Sequence, residues 1–418
     1  MNLQRRDRLL KRIQTPSTPL HIVGLGRFGG NLALIRHLAE LGHQLVLWES
    51  SPLEELGPSW EKLSAYHQQI KAHWACPNPT LPKDDWVFIT PAMPFNHPSL
   101  KDISKEYLST EIEVSLSLAE KHGVSFHVVL GSVGKSTCAT LLARALETQV
   151  IGNIGLSFLE LLPNPPSELV LELSSFQLHY LRATKWQPTT FLVTPIDDHH
   201  SDWHGGLEAY QNAKLDWVRA WQSHSILGVF MDEVKVDPDL YQLQTSKLIG
   251  QHNRNNLQAV WEITKQLQRQ TDKVRQALLS FKGLPHRLEL CFETAQLNCY
   301  NDSKATSPNA TIEALNAFYN IELLILQGQF KELDYQPLIS KAKEKCNTIW
   351  LIGGMRELMT SDLSKRQFIS YKNLNEAFKN AKLPTSGNIL FSPAAPSYGD
   401  YQNYEQRGDH FKTFFESS

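Results

Sequence analysis

The segment that most constrains this 418-residue chain is Phe126-His127-Val128-Val129-Leu130, followed at once by Gly131-Ser132-Val133-Gly134-Lys135-Ser136-Thr137. An apolar run that empties into a glycine-rich turn predicts a strand, a tight loop and a helix. The predicted helix, Cys138–Leu146, places Cys138, Leu141, Leu142 and Ala145 on one face. Loops of this kind wrap a triphosphate with backbone N–H groups. Lys135 would reach the β- and γ-phosphates and Ser136 would offer its hydroxyl to Mg²⁺. The loop is shorter than GxxxxGK[ST], because Val129 stands where the first glycine of that pattern would be.

A second glycine turn lies upstream. Leu20-His21-Ile22-Val23 leads into Gly24-Leu25-Gly26-Arg27-Phe28-Gly29, and a second strand, Gln44–Trp48, ends at Glu49. The spacing fits a dinucleotide fold, with a diphosphate on the helix N-terminus and an acid on a ribose hydroxyl. The same turn holds other nucleotides, so NAD is one reading among several.

Charge inside apolar pattern marks three further places. Glu172 interrupts Leu169-Val170-Leu171-Glu172-Leu173, where a lone carboxylate costs several kcal/mol unless a cation compensates it. The strand Phe191-Leu192-Val193 empties into Asp197-Asp198-His199-His200-Ser201-Asp202-Trp203-His204, a density of ionisable groups suited to a metal or phosphate site. On the predicted helix Leu207–Trp221, Lys214 sits within the stripe Leu207, Tyr210, Trp217, Trp221. Such a lysine either snorkels to water or is neutralised, for instance as a carbamate formed with CO₂.

The rest of the chain bounds the answer. With 41 Lys+Arg against 43 Asp+Glu, it lacks the basic excess of a nucleic-acid binder. No apolar run is long enough to span a membrane. The 5 cysteines never stand in CxxC spacing and suit reduced thiols in a cytosol. The basic segment Met1–Thr15, with Arg5, Arg6, Arg8, Lys11 and Arg12, reads as a solvated helix or frayed arm. Short apolar strands alternate with amphipathic helices throughout, including strands near Trp86–Ile89, Leu323–Leu326, Thr348–Ile352 and Asn388–Phe391, and a helix near Asn253–Gln268. That pattern predicts an α/β protein with parallel sheets in three domains, 1–112, 113–283 and 284–418.

Taken with Gly152-Asn153-Ile154-Gly155, Leu171–Gln177, Gly250-Gln251-His252-Asn253, Gly283-Leu284-Pro285-His286-Arg287, Asn301-Asp302-Ser303-Lys304-Ala305-Thr306 and Ser392-Pro393-Ala394, the chain resembles the Mur ligases along nearly its whole length. The Asn-Asp-Ser-Lys-Ala-Thr block is most similar to the branch that adds D-glutamate to UDP-N-acetylmuramoyl-L-alanine. The resemblance implies a Rossmann-like N-terminal domain, a central P-loop ATPase-type parallel sheet and a Rossmann-like C-terminal domain. It assigns the UDP-sugar to Gly26, Arg27, Phe28, Glu49, Ser50 and Asn153, so that the first glycine turn would serve UDP rather than NAD. ATP falls to Gly131, Gly134, Lys135, Ser136, Thr137, Asn256, Arg287 and Asp302. D-glutamate falls to Lys304, Thr306, Lys331, Ser397 and Tyr404.

The same resemblance implies two Mg²⁺ sites, with Ser136, Glu172, a histidine and a carbamoylated Lys214 as metal residues. Lys135, Glu172, Lys214 and that histidine form the catalytic set. Aligning Asp198-His199 with the family's Asp-His picks His199; aligning Asp202-Trp203-His204-Gly205 picks His200; both stay open. Leu130 and Val133 replace a Thr and an Asn, Thr90-Pro91-Ala92 replaces Ser-Pro-Gly, and Gln327-Gly328-Gln329-Phe330 replaces a glycine pair before Lys331. The expectation is a monomeric, cytoplasmic, ATP-dependent ligase of peptidoglycan precursors. A weakly catalytic or silent homologue that binds a sugar nucleotide, a homologue with another acceptor, and a NAD-dependent oxidoreductase are the rival readings.

Overall fold

The computed structural model describes residues 3–25, 31–181, 186–197, 201–235, 237, 240, 248, 250–331, 333–358 and 367–416. The chain divides into two compact units, Met1–Lys235 with Asn256–Arg275, and Val236–Asn255 with Gln276–Ser418.

The first unit carries two parallel sheets. One contains β1 (Leu20–Val23), β2 (Leu45–Trp48), β3 (Ile70–His73), β4 (Val87–Ile89) and β5 (Leu108–Ser109) in the order β3-β2-β1-β4-β5. The order reverses beside β1, the place where doubly wound sheets open a ligand crevice at their carboxyl ends. The other contains β6 (Ser125–Leu130), β7 (Val150–Gly152), β8 (Glu168–Glu172), β9 (Thr190–Val193) and β10 (Leu227–Phe230) in the order β10-β9-β6-β8-β7. Here β9, β6 and β8 are neighbours, so the loops leaving their carboxyl ends meet.

The second unit holds β11 (Glu289–Glu293), β12 (Leu297–Asn301), β13 (Ile321–Gly328), β14 (Cys346–Gly353), β15 (Phe368–Tyr371) and β16 (Gly387–Ala394), ordered β11-β12-β16-β13-β14-β15. All pairs are parallel except the edge pair β11–β12. Strands such as Leu323–Leu326 and Ile349–Ile352 are buried on both faces, which is why they read as unbroken apolar runs.

The basic N-terminus is not a solvated arm. It is the helix Leu3–Gln14, which buries Leu9, Leu10 and Ile13 in the core of the first unit. Arg5 is only 3% exposed. Its guanidinium makes a two-pronged pair with Glu113 (2.8 and 2.9 Å). It also donates to the carbonyl oxygens of Lys105 (3.1 Å), Glu106 and Leu108 (2.6 Å). The count of charges on this helix concealed an apolar face at 4-residue spacing, Leu9 to Ile13, that needs burial.

Removing one partner of a buried pair leaves the other uncompensated. Arg5→Ala should therefore cost about 3–5 kcal/mol. Arg8 pairs with Glu106 at the surface. Arg8→Ala should cost less than about 1 kcal/mol. Urea unfolding of both variants checks the contrast.

Candidate functional site

The phosphate loop begins where β6 ends. Gly131 has φ of +133°, and a Cβ there would clash with Thr194 Oγ1 and Thr194 O just past the end of β9. Gly134 has φ of +87°, and a Cβ there would meet Asn256 Oδ1 at 2.7 Å. Both positions require glycine. The helix then runs Lys135–Leu146, starting three residues earlier than its apolar face suggested. Ser136 and Thr137 are nearly buried at its first turn. Leu130 is sealed in the core, while Val133 is 44% exposed at the loop tip.

The loop is fastened to β9. Ser132 N donates to Pro195 O (2.8 Å) and Ser132 Oγ to Asp197 O (3.0 Å). The hydroxyls of Ser132 and Tyr210 lie 2.5 Å apart. Lys135 Nζ donates to Ser132 O (2.9 Å), so its ammonium curls over its own loop.

Glu172 ends β8, an interior strand, and is completely buried. Asn153 Nδ2 donates to its Oε1 (2.8 Å), and Asn153 N donates to Glu172 O (2.9 Å). The other carboxylate oxygen, Oε2, has no donor although it is buried. A buried anionic oxygen without a partner is costly. A hard cation accepts such an oxygen together with a hydroxyl like that of Ser136, so this donor set fits Mg²⁺. Among the described residues, no three His, Cys, Asp or Glu side chains gather into a metal cluster.

Lys214 does not snorkel. It is 1% exposed, and its Nζ lies 3.4 Å from the centre of the Tyr210 ring. Burial, reinforced by the positive charge of Lys135, lowers its pKa to about 7. Tyr210 was visible in the stripe but not singled out; its position four residues before Lys214, on the same face, was the signal.

Beside the first sheet, Glu49 is 6% exposed and turned inward. Its Oε2 accepts from Leu25 N (2.7 Å), and its Oε1 accepts from Ser51 N (3.1 Å) and Ser50 Oγ (3.2 Å). Ser50 is exposed beside it. Gly26, Arg27 and Phe28 lie outside the described residues, as do Asp198, His199 and His200. The Thr90-Pro91-Ala92 loop and the residue after it are held by two helices, because Trp203 Nε1 donates to Ala92 O (2.9 Å) and Tyr180 Oη to Met93 O (2.6 Å).

In the second unit, Asp302 leaves β12 and is 7% exposed. It accepts from Leu288 N (3.1 Å) and Ser392 Oγ (2.7 Å). Burial outweighs these bonds and the nearby Arg287 and Arg407, raising its pKa to about 7. Lys304 Nζ sits 3.8 Å above the Tyr404 ring, bringing two of the expected amino-acid residues together. Ser397 is nearly buried, whereas Thr306 and Lys331 are exposed.

Known proteins are similar to this chain. Residues 129–290 fit the family described as the Mur ligase middle domain. The UDP-N-acetylmuramoylalanine–D-glutamate ligase of Pseudothermotoga lettingae is 30% identical, over 93% of this chain and 96% of that protein. The chain belongs to the Mur ligase family. Two solved Mur ligases of Thermotoga maritima share the fold. The UDP-N-acetylmuramate–alanine ligase MurC gives a TM-score of 0.58 at 15% identity, covering 96% of this chain and 100% of the other. The MurF ligase in complex with ADP gives 0.55 at 14% identity, with 97% of each chain covered.

For this Mur ligase, the raised pKa of Asp302 has a consequence for stability. An unfolded Asp loses its proton near a pKa of about 3.9, whereas the native carboxyl holds it to about 7. Between those values the native state binds more protons, so this residue's contribution falls as pH rises through the window. Asp302→Asn should remove that fall. Its melting temperature should gain on wild type between about pH 4 and about pH 7, as measured by calorimetry.

Proposed function

We propose that this Mur ligase joins D-glutamate to UDP-N-acetylmuramoyl-L-alanine at the expense of ATP, in the synthesis of peptidoglycan precursors. Mur ligases are ATP-dependent, and the first-named relative carries the D-glutamate activity in its name. The observation that carries the reading is the meeting, at the carboxyl ends of β9, β6 and β8, of a phosphate loop, a buried carboxylate with an open oxygen, and a buried lysine.

The chemistry follows from charge. A carboxylate is a poor electrophile, so the L-alanyl carboxylate of the sugar nucleotide takes the γ-phosphoryl group of ATP and becomes an acyl phosphate. Loop N–H groups of Gly131–Thr137 and the Lys135 ammonium offset charge on the transferring group. The amine of D-glutamate then attacks the acyl carbon, and inorganic phosphate leaves. Mg²⁺, when bound by Ser136 and Glu172, supplies neutralisation of phosphate charge. Two such sites are proposed, the second including Lys214 and either His199 or His200.

The remaining assignments rest on the resemblance. The division of labour is 1–112 for UDP-sugar, 113–283 for ATP and 284–418 for the amino acid. Asn256, Arg287 and Asp302 are assigned to ATP, and Gly26, Arg27, Phe28, Glu49, Ser50 and Asn153 to the UDP-sugar. Lys304, Thr306, Lys331, Ser397 and Tyr404 are assigned to D-glutamate, whose two carboxylates suit lysine partners. A cytoplasmic monomer is proposed; no helix among the described residues is long and apolar enough to cross a membrane. The oxidoreductase reading is disfavoured, since it leaves the phosphate loop and the buried Glu172 without a role. The silent-homologue reading is disfavoured by the retention of Lys135, Glu172 and Lys214 in these positions.

The deciding experiment is phosphate release from ATP with the sugar nucleotide, Mg²⁺ and bicarbonate, comparing D-glutamate with L-glutamate, diaminopimelate and L-lysine. Release should require both the sugar nucleotide and D-glutamate. It should fall by about 10³-fold or more in Lys135→Ala, which strips charge stabilisation from the transferring group. Release with another acceptor, or none, would overturn the assignment.

Lys214 offers an independent check. Only a neutral amine adds CO₂, and a pKa of about 7 leaves much of Lys214 neutral under physiological conditions. With ¹³C-bicarbonate, a carbamate signal should grow as pH rises from about 6 to about 8 and be missing in Lys214→Arg. Equal signals in both proteins would refute the modification at this residue.

A further inference from the structure

We propose that Arg407 is a positioning residue for the amino-acid acceptor, a buried clamp that fixes the spacing of three ligand-bearing loops of the second unit. The proposal rests on the reading of this unit as the D-glutamate site and adds a residue that no part of that reading assigns.

Arg407 lies on the helix Tyr404–Thr413 and is completely buried. Its Nε donates to Ser303 Oγ (3.0 Å) and its Nη2 to Ser303 O (2.7 Å). Its Nη1 donates to Gln327 O (2.9 Å) and to Ala395 O (2.9 Å). Ser303 and Ala395 lie in the segments that leave β12 and β16, Gln327 is the penultimate residue of β13, and the three strands are adjacent in the sheet. Each segment carries a proposed acceptor residue within a few positions: Lys304 next to Ser303, Lys331 after Gln327, and Ser397 after Ala395. Ser303 Oγ in turn donates to Tyr404 O (2.7 Å), which ties the start of the helix to the same point.

The chemistry of the guanidinium explains the choice of residue. Buried carbonyls at or just past the end of a strand need donors that the ladder does not always supply. A planar fork with fixed N–H directions satisfies several at once, which a lysine ammonium on a flexible stem does not. Among the described residues Arg407 forms no ion pair. Burial lowers its pKa to about 10, with Asp302, Asp400 and Tyr401 acting the other way, so it is charged at neutral pH. A buried charge spent on backbone carbonyls of three separate loops is a device for geometry, and displacements near 1 Å at a reacting site can cost about 10²-fold in rate.

Arg407→Lys and the milder Ser303→Ala test the clamp. In Arg407→Lys the KM for D-glutamate should rise about tenfold or more, with that for the sugar nucleotide changed less than about twofold. Ser303→Ala, which removes one acceptor and the link to Tyr404, should raise the D-glutamate KM by a smaller factor of about three. Hydrogen exchange needs no substrate. Amides of 303–306, 329–331 and 395–398 should exchange about tenfold faster together in Arg407→Lys, while the central sheet of the first unit is unaffected.

Unchanged exchange in the three segments would overturn the clamp. A D-glutamate KM that stays put, or one that rises in step with that of the sugar nucleotide, would overturn the positioning role. Wild-type protein inactive with D-glutamate would instead sink the proposed acceptor, and the exchange arm would still decide whether Arg407 holds the loops.

Discussion

The structure turns on one carboxylate oxygen. Glu172 is sealed in an interior strand with Asn153 on one oxygen and no donor on the other. Nothing in folding rewards that arrangement, since an apolar residue in β8 would pack at lower cost. Close by, Lys135 and Lys214 raise each other's cost, and the pKa of Lys214 drops to about 7 partly because Lys135 is near. A buried carboxylate oxygen with no donor, and two amines that disfavour each other's charge, suit the Mg²⁺ and nucleotide of the proposed reaction.

Topology makes such a site cheap to assemble. In a parallel sheet, neighbouring strands deliver their following loops to one edge, and β9-β6-β8 brings the Thr194–Asp197 segment, the phosphate loop and the Glu172 segment side by side. The second unit repeats the device with β12, β16 and β13. What differs is the fastening. The phosphate loop is fixed by glycines whose missing Cβ atoms admit Thr194 and Asn256. The second unit's loops are held from beneath by a guanidinium.

Much of this was legible because charge stands out against apolar pattern. Glu172 in a buried strand and Lys214 in a buried stripe were both visible from periodicity alone. So were the long apolar strands of the central and last sheets. The sequence pattern does not reveal the short or polar strands β3, β5, β7, β10, β11, β12 and β15, since stretches such as Ile70-Lys71-Ala72-His73 carry too few apolar residues to show a period. The N-terminal helix was misread by weighing its five basic residues above Leu9 and Ile13. Arg407 went unnoticed for the converse reason. It is in phase with Phe411 and Phe415, the same signal that exposed Lys214, but the helix is short and rich in polar residues. The choice between His199 and His200 falls outside the described residues.

Buried charges in this protein fall into two kinds, and the difference separates scaffold from site. Arg5 and Arg407 are satisfied: their N–H groups meet a carboxylate or carbonyls. They hold chain segments in register. Glu172 keeps a buried oxygen without a donor, and Lys214 lies buried with its Nζ over the Tyr210 ring. A satisfied buried charge returns its desolvation cost as local order. An unsatisfied one does so only when something binds, so the free energy withheld from folding becomes available for the ligand. By that criterion Arg5 and Arg407 are scaffold, and Glu172 has the open oxygen that the proposed metal site requires.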